Sequence, residues 1–91
     1  MTENKLDLRK EQVQLIEKAA VLFEKGNMQP AVAKILALLL VSDDPELSFD
    51  EIRETLEISK SAASVAINQL LNSNRIEYIP RLGDRKRYFR S

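Results

Sequence analysis

The chain of 91 residues contains no cysteine and no histidine. Without cysteine there is no disulfide and no thiolate to act as nucleophile or metal ligand. Without histidine the chain lacks the commonest general base, the commonest nitrogen ligand and the usual side chain for switching near neutral pH. Glycine occurs twice, too rarely for a Gly-rich loop that cradles phosphates. Catalysis would fall to carboxylates, lysine or serine. The acidic pairs Asp43-Asp44 and Asp50-Glu51 already have turn and helix-cap roles. No spacing of metal ligands occurs. The sequence thus reads as non-enzymatic, with no catalytic residue, metal site or cofactor. Long apolar runs are missing too: the longest, residues 35–41, is seven residues, against the ~20 needed to span a bilayer. The opening MTENKLDLRK is polar and mixed in charge, unlike a signal peptide. A soluble cytoplasmic protein without membrane contact is expected.

What is present suits one small domain. Hydrophobic residues make up 44% and charged residues 31%, a globular balance with a modest core, since chains of this size bury roughly 60–65% of their unfolded surface. Net charge is zero, but its distribution is uneven. Residues 1–74 hold eight Lys/Arg against twelve Asp/Glu, and residues 75–91 hold six against two. A chain polarised in this way can attract phosphate at one end.

Hydrophobic periodicity predicts four helices. Residues 1–7 are expected to be a flexible N-terminus and residues 8–91 the folded domain. In 8–24, Val13, Ile16, Ala20 and Phe23 form one apolar stripe, and Leu8, Leu15, Ala19 and Leu22 widen it beyond what one core face needs. That width suits either packing across the next helix or a second subunit. Gly26-Asn27 should end the helix. Pro30 then opens a helix over 30–42, apolar nearly all round apart from Lys34 and so expected to be the most buried. After the stop at 43–46, Ser48 and Glu51 form a capping box, with Leu47 and Ile52 as a hydrophobic staple. They start a short helix over 49–56 with Ile52 and Leu56 inward. Glu57-Ile58 forms the turn, and Glu57 carries a steric penalty if it sits left-handed.

Ser59 caps the stretch SKSAASVAINQLLN, residues 59–72. Its inner side carries Ala63, Ile67, Leu70 and Leu71, with Leu71 at the core's edge. Ser61, Ala62, Val65, Asn68, Gln69 and Asn72 fall on the opposite side. A solvated face normally carries Lys and Glu, whereas this one is neutral. Two short helices joined by a tight turn make a helix-turn-helix. Asn74 should close the second of them. Residues 75–81 and 85–90 read as two strands around the turn at Leu82-Gly83-Asp84, a hairpin rich in basic residues. The fold class expected is therefore mainly α with a small β-hairpin: a winged helix-turn-helix of four helices and a C-terminal two-stranded wing.

Four segments occur in order: KILALL at 34–39, LSFDEI at 47–52, SKSAAS at 59–64 and GDRKRYF at 83–89. In this ordered set, within a match over roughly residues 20–90, the chain resembles the MarR superfamily of bacterial and archaeal transcription regulators, closest to the GbsR-like branch. The resemblance implies a dimer, with the fourth helix of each subunit in successive major grooves and the wings over the flanking minor grooves. Position 74, usually Gly in such proteins, is Asn here. The family also continues past the wing into C-terminal helices that build its dimer, whereas this sequence stops at Ser91. Dimerisation would then fall to the helix of residues 8–24, or the chain is a monomer, or it is a fragment or truncated variant, and no effector ligand can be named.

The expected partner is double-stranded DNA. Asn68 and Gln69 can pair bidentately with adenine, Ala62 and Val65 can touch thymine methyls, and Ser61 and Ser64 can serve bases or phosphates. The helix start, Ser59, Lys60 and Ser61, can hold a phosphate. In the wing, Arg85 is the minor-groove candidate, with Lys86, Arg87 and Arg90 on phosphates. Strand alternation implies that Lys86 and Arg87 face opposite ways. The competing reading is a winged-helix protein-protein interaction module that does not bind DNA.

Overall fold

The computed structural model describes residues 4–91, arranged in four helices and three short strands. Helix α1 spans Lys10–Lys25, α2 Pro30–Val41, α3 Phe49–Leu56 and α4 Lys60–Asn72. Strand β1 is Leu47–Ser48, β2 Glu77–Ile79 and β3 Tyr88–Arg90. This is the winged helix-turn-helix expected from the sequence.

Helix α2 is the hub because its sequence leaves it no polar face. Ala33, Ile35, Ala37 and Leu38 are fully buried, and Val32, Leu36 and Leu39 nearly so. Each such Val, Ile or Leu contributes roughly 1.5–3 kcal/mol relative to exposure. Around α2 the core collects Ile16 and Ala20 from α1, Ile52 from α3, Ala66, Ile67 and Leu70 from α4, then Leu47, Ile76 and Phe89 from the sheet and its approach. Ala63 is also fully buried.

Three helices end in the same way. After α1, Asn27 N–H bonds to the Glu24 carbonyl and Met28 N–H to that of Phe23, at 3.0 and 3.1 Å. After α3, Glu57 and Ile58 reach back to Glu54 and Arg53, and after α4, Asn74 and Arg75 reach back to Leu71 and Leu70. This double closure needs a left-handed residue just past the helix. Asn27 (φ 74°), Glu57 (φ 56°) and Asn74 (φ 59°) supply it, with no glycine among them. Gly26 keeps a negative φ. Asparagine tolerates that region because its short amide bonds locally, whereas glutamate has no such relief. The turn of the helix-turn-helix is thus strained at Glu57.

The capping box at α3 is complete. Ser48 Oγ accepts from Glu51 N–H at 3.1 Å, and the Glu51 carboxylate accepts from Ser48 N–H at 2.8 Å.

The sheet departs from the expectation in two ways. It has three antiparallel strands in the order β1–β3–β2, because the extended segment entering the cap pairs with the return strand, Leu47 opposite Phe89. The strands are also shorter than the stretches 75–81 and 85–90. Pro80 has no N–H to donate, and residues 80–87 lie outside the ladder. Lys86 and Arg87 both precede β3, so strand alternation does not govern which way they face. Phe89, 2% exposed, sits between Leu47 and Tyr78 in the register and anchors the wing in the core.

Of the N-terminus expected to be flexible, residues 1–3 lie outside the described residues. Residues 4–6 lie along α3: Asn4 Nδ2 donates to Glu54, Leu6 N–H donates to Thr55 Oγ1, and Lys5 pairs with Glu57. The segment lacks helical periodicity but carries donors that α3's polar side accepts.

Candidate nucleic-acid interface

Helix α4 presents its neutral side outward. Ser61, Val65, Asn68, Gln69 and Asn72 are exposed, and Ala62 and Ser64 are half-buried. Val65 is 58% exposed, an apolar side chain with no covering residue. Leu71 is half-buried, at the core's edge. At the helix start Ser59 Oγ accepts from Ala62 N–H at 3.1 Å. The N–H groups of Lys60 and Ser61, in the first turn, have no intrahelical acceptor and point the positive end of the helix dipole outward.

The wing meets this end of α4. Lys60, Arg85, Lys86 and Arg87 line one cleft of about 330 Å³ with Phe49 and Asp50. The Asp50 carboxylate faces Arg53 at 3.5 Å. Among the described residues none of the four cations forms an ion pair within the chain. Four cations that the protein does not neutralise, beside a helix N-terminus, make a surface suited to polyanions. The Arg87 guanidinium also stacks on the Phe49 ring, 4.6 Å from its centroid.

Two further depressions border the outer side of α4. Ser59, Ser61, Ala62 and Val65 share one with Gln29 and Ala31 at the start of α2. Gln69 shares the other with Asn27, Ser73 and Arg75. Gln29, Ala31 and Arg75 were not singled out from the sequence. Gln29 and Ala31 join α4 only through the packing of α2 beside it, a relation that spacing along the chain does not encode, whereas Arg75 follows α4 directly and its N–H bonds back to the Leu70 carbonyl at 2.9 Å.

Arg90 stands apart. Its Nε donates to Glu77 across the β2–β3 ladder, so its charge is partly neutralised, and it does not line the cleft with the other three wing cations. Arg81 is likewise engaged: it pairs with Glu46 at 3.0 Å and lies 3.4 Å over the Tyr88 ring. The Glu46 hydrogen bond raises its pKa above the ordinary arginine value.

Asp84 organises the wing's tip. Its carboxylate accepts from Lys86 N–H and from Tyr88 Oη, both at 2.9 Å. Those two bonds, the backbone one first, hold the Asp84 pKa below its usual value, and the same carboxylate raises that of Tyr88. Asp84 N–H closes the turn onto the Arg81 carbonyl at 3.1 Å, with Gly83 at φ 81° in the third position, where a side chain would be strained. Leu82 is left fully exposed at the tip.

No protein-family model matches the chain, and no curated protein matches it in sequence. Its fold is similar to the crystal structure of a transcriptional regulator, with 28% identity and a TM-score of 0.80 over 88% of this chain and 54% of that one. The chain therefore spans about half the length of that protein.

Proposed function

We propose that this chain is a cytoplasmic, sequence-specific regulator of transcription that binds double-stranded DNA. In this reading α4 enters the major groove and the wing lies over the adjacent minor groove and phosphates. The observation that carries it is the group of Lys60, Arg85, Lys86 and Arg87, which form no ion pair among the described residues and gather at the foot of a helix whose outer side is neutral. Charges outside α4 supply affinity, and Asn68, Gln69, Ala62 and Val65 supply selectivity. Ser59, Ser61 and Ser64 hold phosphates or base edges. The similarity to a solved transcriptional regulator and the resemblance to the MarR superfamily support the same reading. Two copies would occupy a pseudo-palindromic site with half-sites about one helical turn apart.

Fluorescence anisotropy on mixed genomic fragments tests this. Binding should weaken steeply between about 50 and 200 mM salt, and Arg85→Ala with Arg87→Ala should flatten that dependence. Absence of binding at low salt, or indifference to the double substitution, would favour a protein-interaction module instead.

A further inference from the structure

The structure divides the wide apolar stripe of α1. Ile16 and Ala20 are buried and Ala19 and Phe23 pack partly against the core, whereas Leu15 is 55% and Leu22 66% exposed. At 100° per residue Leu15 and Leu22 fall within about 20° of each other, so they form one exposed edge. Seven residues separate them, about 10.5 Å along the axis. On the outer flank of this edge run Glu11, Lys18 and Lys25, all exposed and, among the described residues, without an ion-pair partner in the chain.

This edge is complementary to itself when reversed. We infer that it docks antiparallel on the same edge of a second copy of the chain, with Leu15 against the partner's Leu22 and Glu11 beside the partner's Lys25. The inference rests on the two-copy reading above and names the surface that joins the copies. A two-fold axis passes between positions 18 and 19. Two apolar pairs and two opposite-charge pairs then form by symmetry, as an isologous contact requires. The two Lys18 side chains meet near the axis, and their long stems carry the ammonium groups outward to water. A parallel arrangement would instead set Glu11 against Glu11 and Lys25 against Lys25.

Sedimentation equilibrium without DNA tests the register. The wild-type chain should be a reversible dimer. Glu11→Lys alone and Lys25→Glu alone each place like charges at both ends and should weaken it about tenfold. One chain carrying both substitutions should return to within about twofold of wild type. Lys18→Cys should form an interchain disulfide on oxidation, with no background because the chain has no cysteine. Leu22→Asp should give a monomer with unchanged far-UV circular dichroism. A wild-type monomer at 100 μM (about 1 mg/mL), a charge-swapped double variant no tighter than the singles, or a Lys18→Cys chain that stays unlinked would each overturn the inference. Since no DNA is present, these outcomes are separate from failure of the DNA-binding reading.

Discussion

Phe49 and Arg87 hold each other twice. The Phe49 N–H donates to the Arg87 carbonyl at 2.8 Å, and the Arg87 guanidinium lies over the Phe49 ring. Phe49 opens α3 and Arg87 immediately precedes β3, so the first helix of the helix-turn-helix and the wing are fastened at one point. Phe49→Leu keeps apolar bulk and the backbone bond but removes the aromatic face. It should destabilise the fold by about 0.5–1 kcal/mol in urea unfolding and speed amide exchange in β3. Unchanged exchange there would mean that the stacked arginine does not hold the wing.

The wing cations differ in what the protein asks of them. Among the described residues Arg85 and Lys86 have no ion-pair partner, while Arg90 is bonded to Glu77. If the wing contacts phosphates, Arg85→Ala and Lys86→Ala should each lower the slope of log K against log salt by about 0.9 and leave the melting temperature unchanged. Arg90→Ala should alter the slope least. An equal change for all three would show that charge alone, and not its placement, governs binding.

Ser48 is 2% exposed and carries half of the capping box. Ser48→Ala should cost about 1–2 kcal/mol, a fall of roughly 5–10 °C in a domain of this size, measurable by scanning calorimetry. Ser48→Asp, which can still accept from the Glu51 N–H but meets the Glu51 carboxylate, should recover only part of the loss.

Glu57 bears the left-handed turn between α3 and α4. Glu57→Gly relieves the clash between Cβ and the backbone and should raise the melting temperature by about 4 °C, even though the exposed pair with Lys5 is lost. Glu57→Ala loses the pair and keeps the Cβ, so it should not be stabilising. A glycine variant no more stable than the alanine one would show that the turn is unstrained.

Acid and base should loosen the wing at its tip. The Asp84 pKa is lowered from 3.8 by Lys86 N–H and then Tyr88 Oη, so its contribution is present above pH 3.8 and fades as pH falls through the lowered value. The Tyr88 pKa is raised from 10.0, chiefly by the bond to Asp84. Its contribution is therefore present below pH 10 and fades as pH rises through the raised value. In a Tyr78→Phe background, ultraviolet titration should place the Tyr88 midpoint above 10, and adding Asp84→Asn should return it towards 10. A midpoint indifferent to Asp84→Asn would rule out the bond in solution.

Local chemistry made much of this fold legible. The capping box at Ser48 and Glu51, Pro30 at the first turn of α2 and the left-handed Asn74 each act within a few residues, so their spacing along the chain is their spacing in space. The start of α3 at Phe49 was readable to the residue for that reason. The neutral side of α4 was equally plain, because the 3.6-residue period sorts Asn68 and Gln69 away from Ile67 and Leu70.

Tertiary structure alone decided where distant residues meet. Strand β1 exists because Leu47 pairs with Phe89, 42 positions away, and two residues of extended chain have no local signature. Arg85, Lys86 and Arg87 read as one run with Arg90, yet β3 carries Arg90 onto Glu77 and leaves the others beside Lys60 without an ion pair among the described residues. The stripe on α1 was visible as too wide, but only the packing of α2 against one side of it separated Ile16 and Ala20, which the core covers, from Leu15 and Leu22, which it does not. Periodicity says which residues share a face of a helix, and only the neighbouring elements say which part of that face is covered.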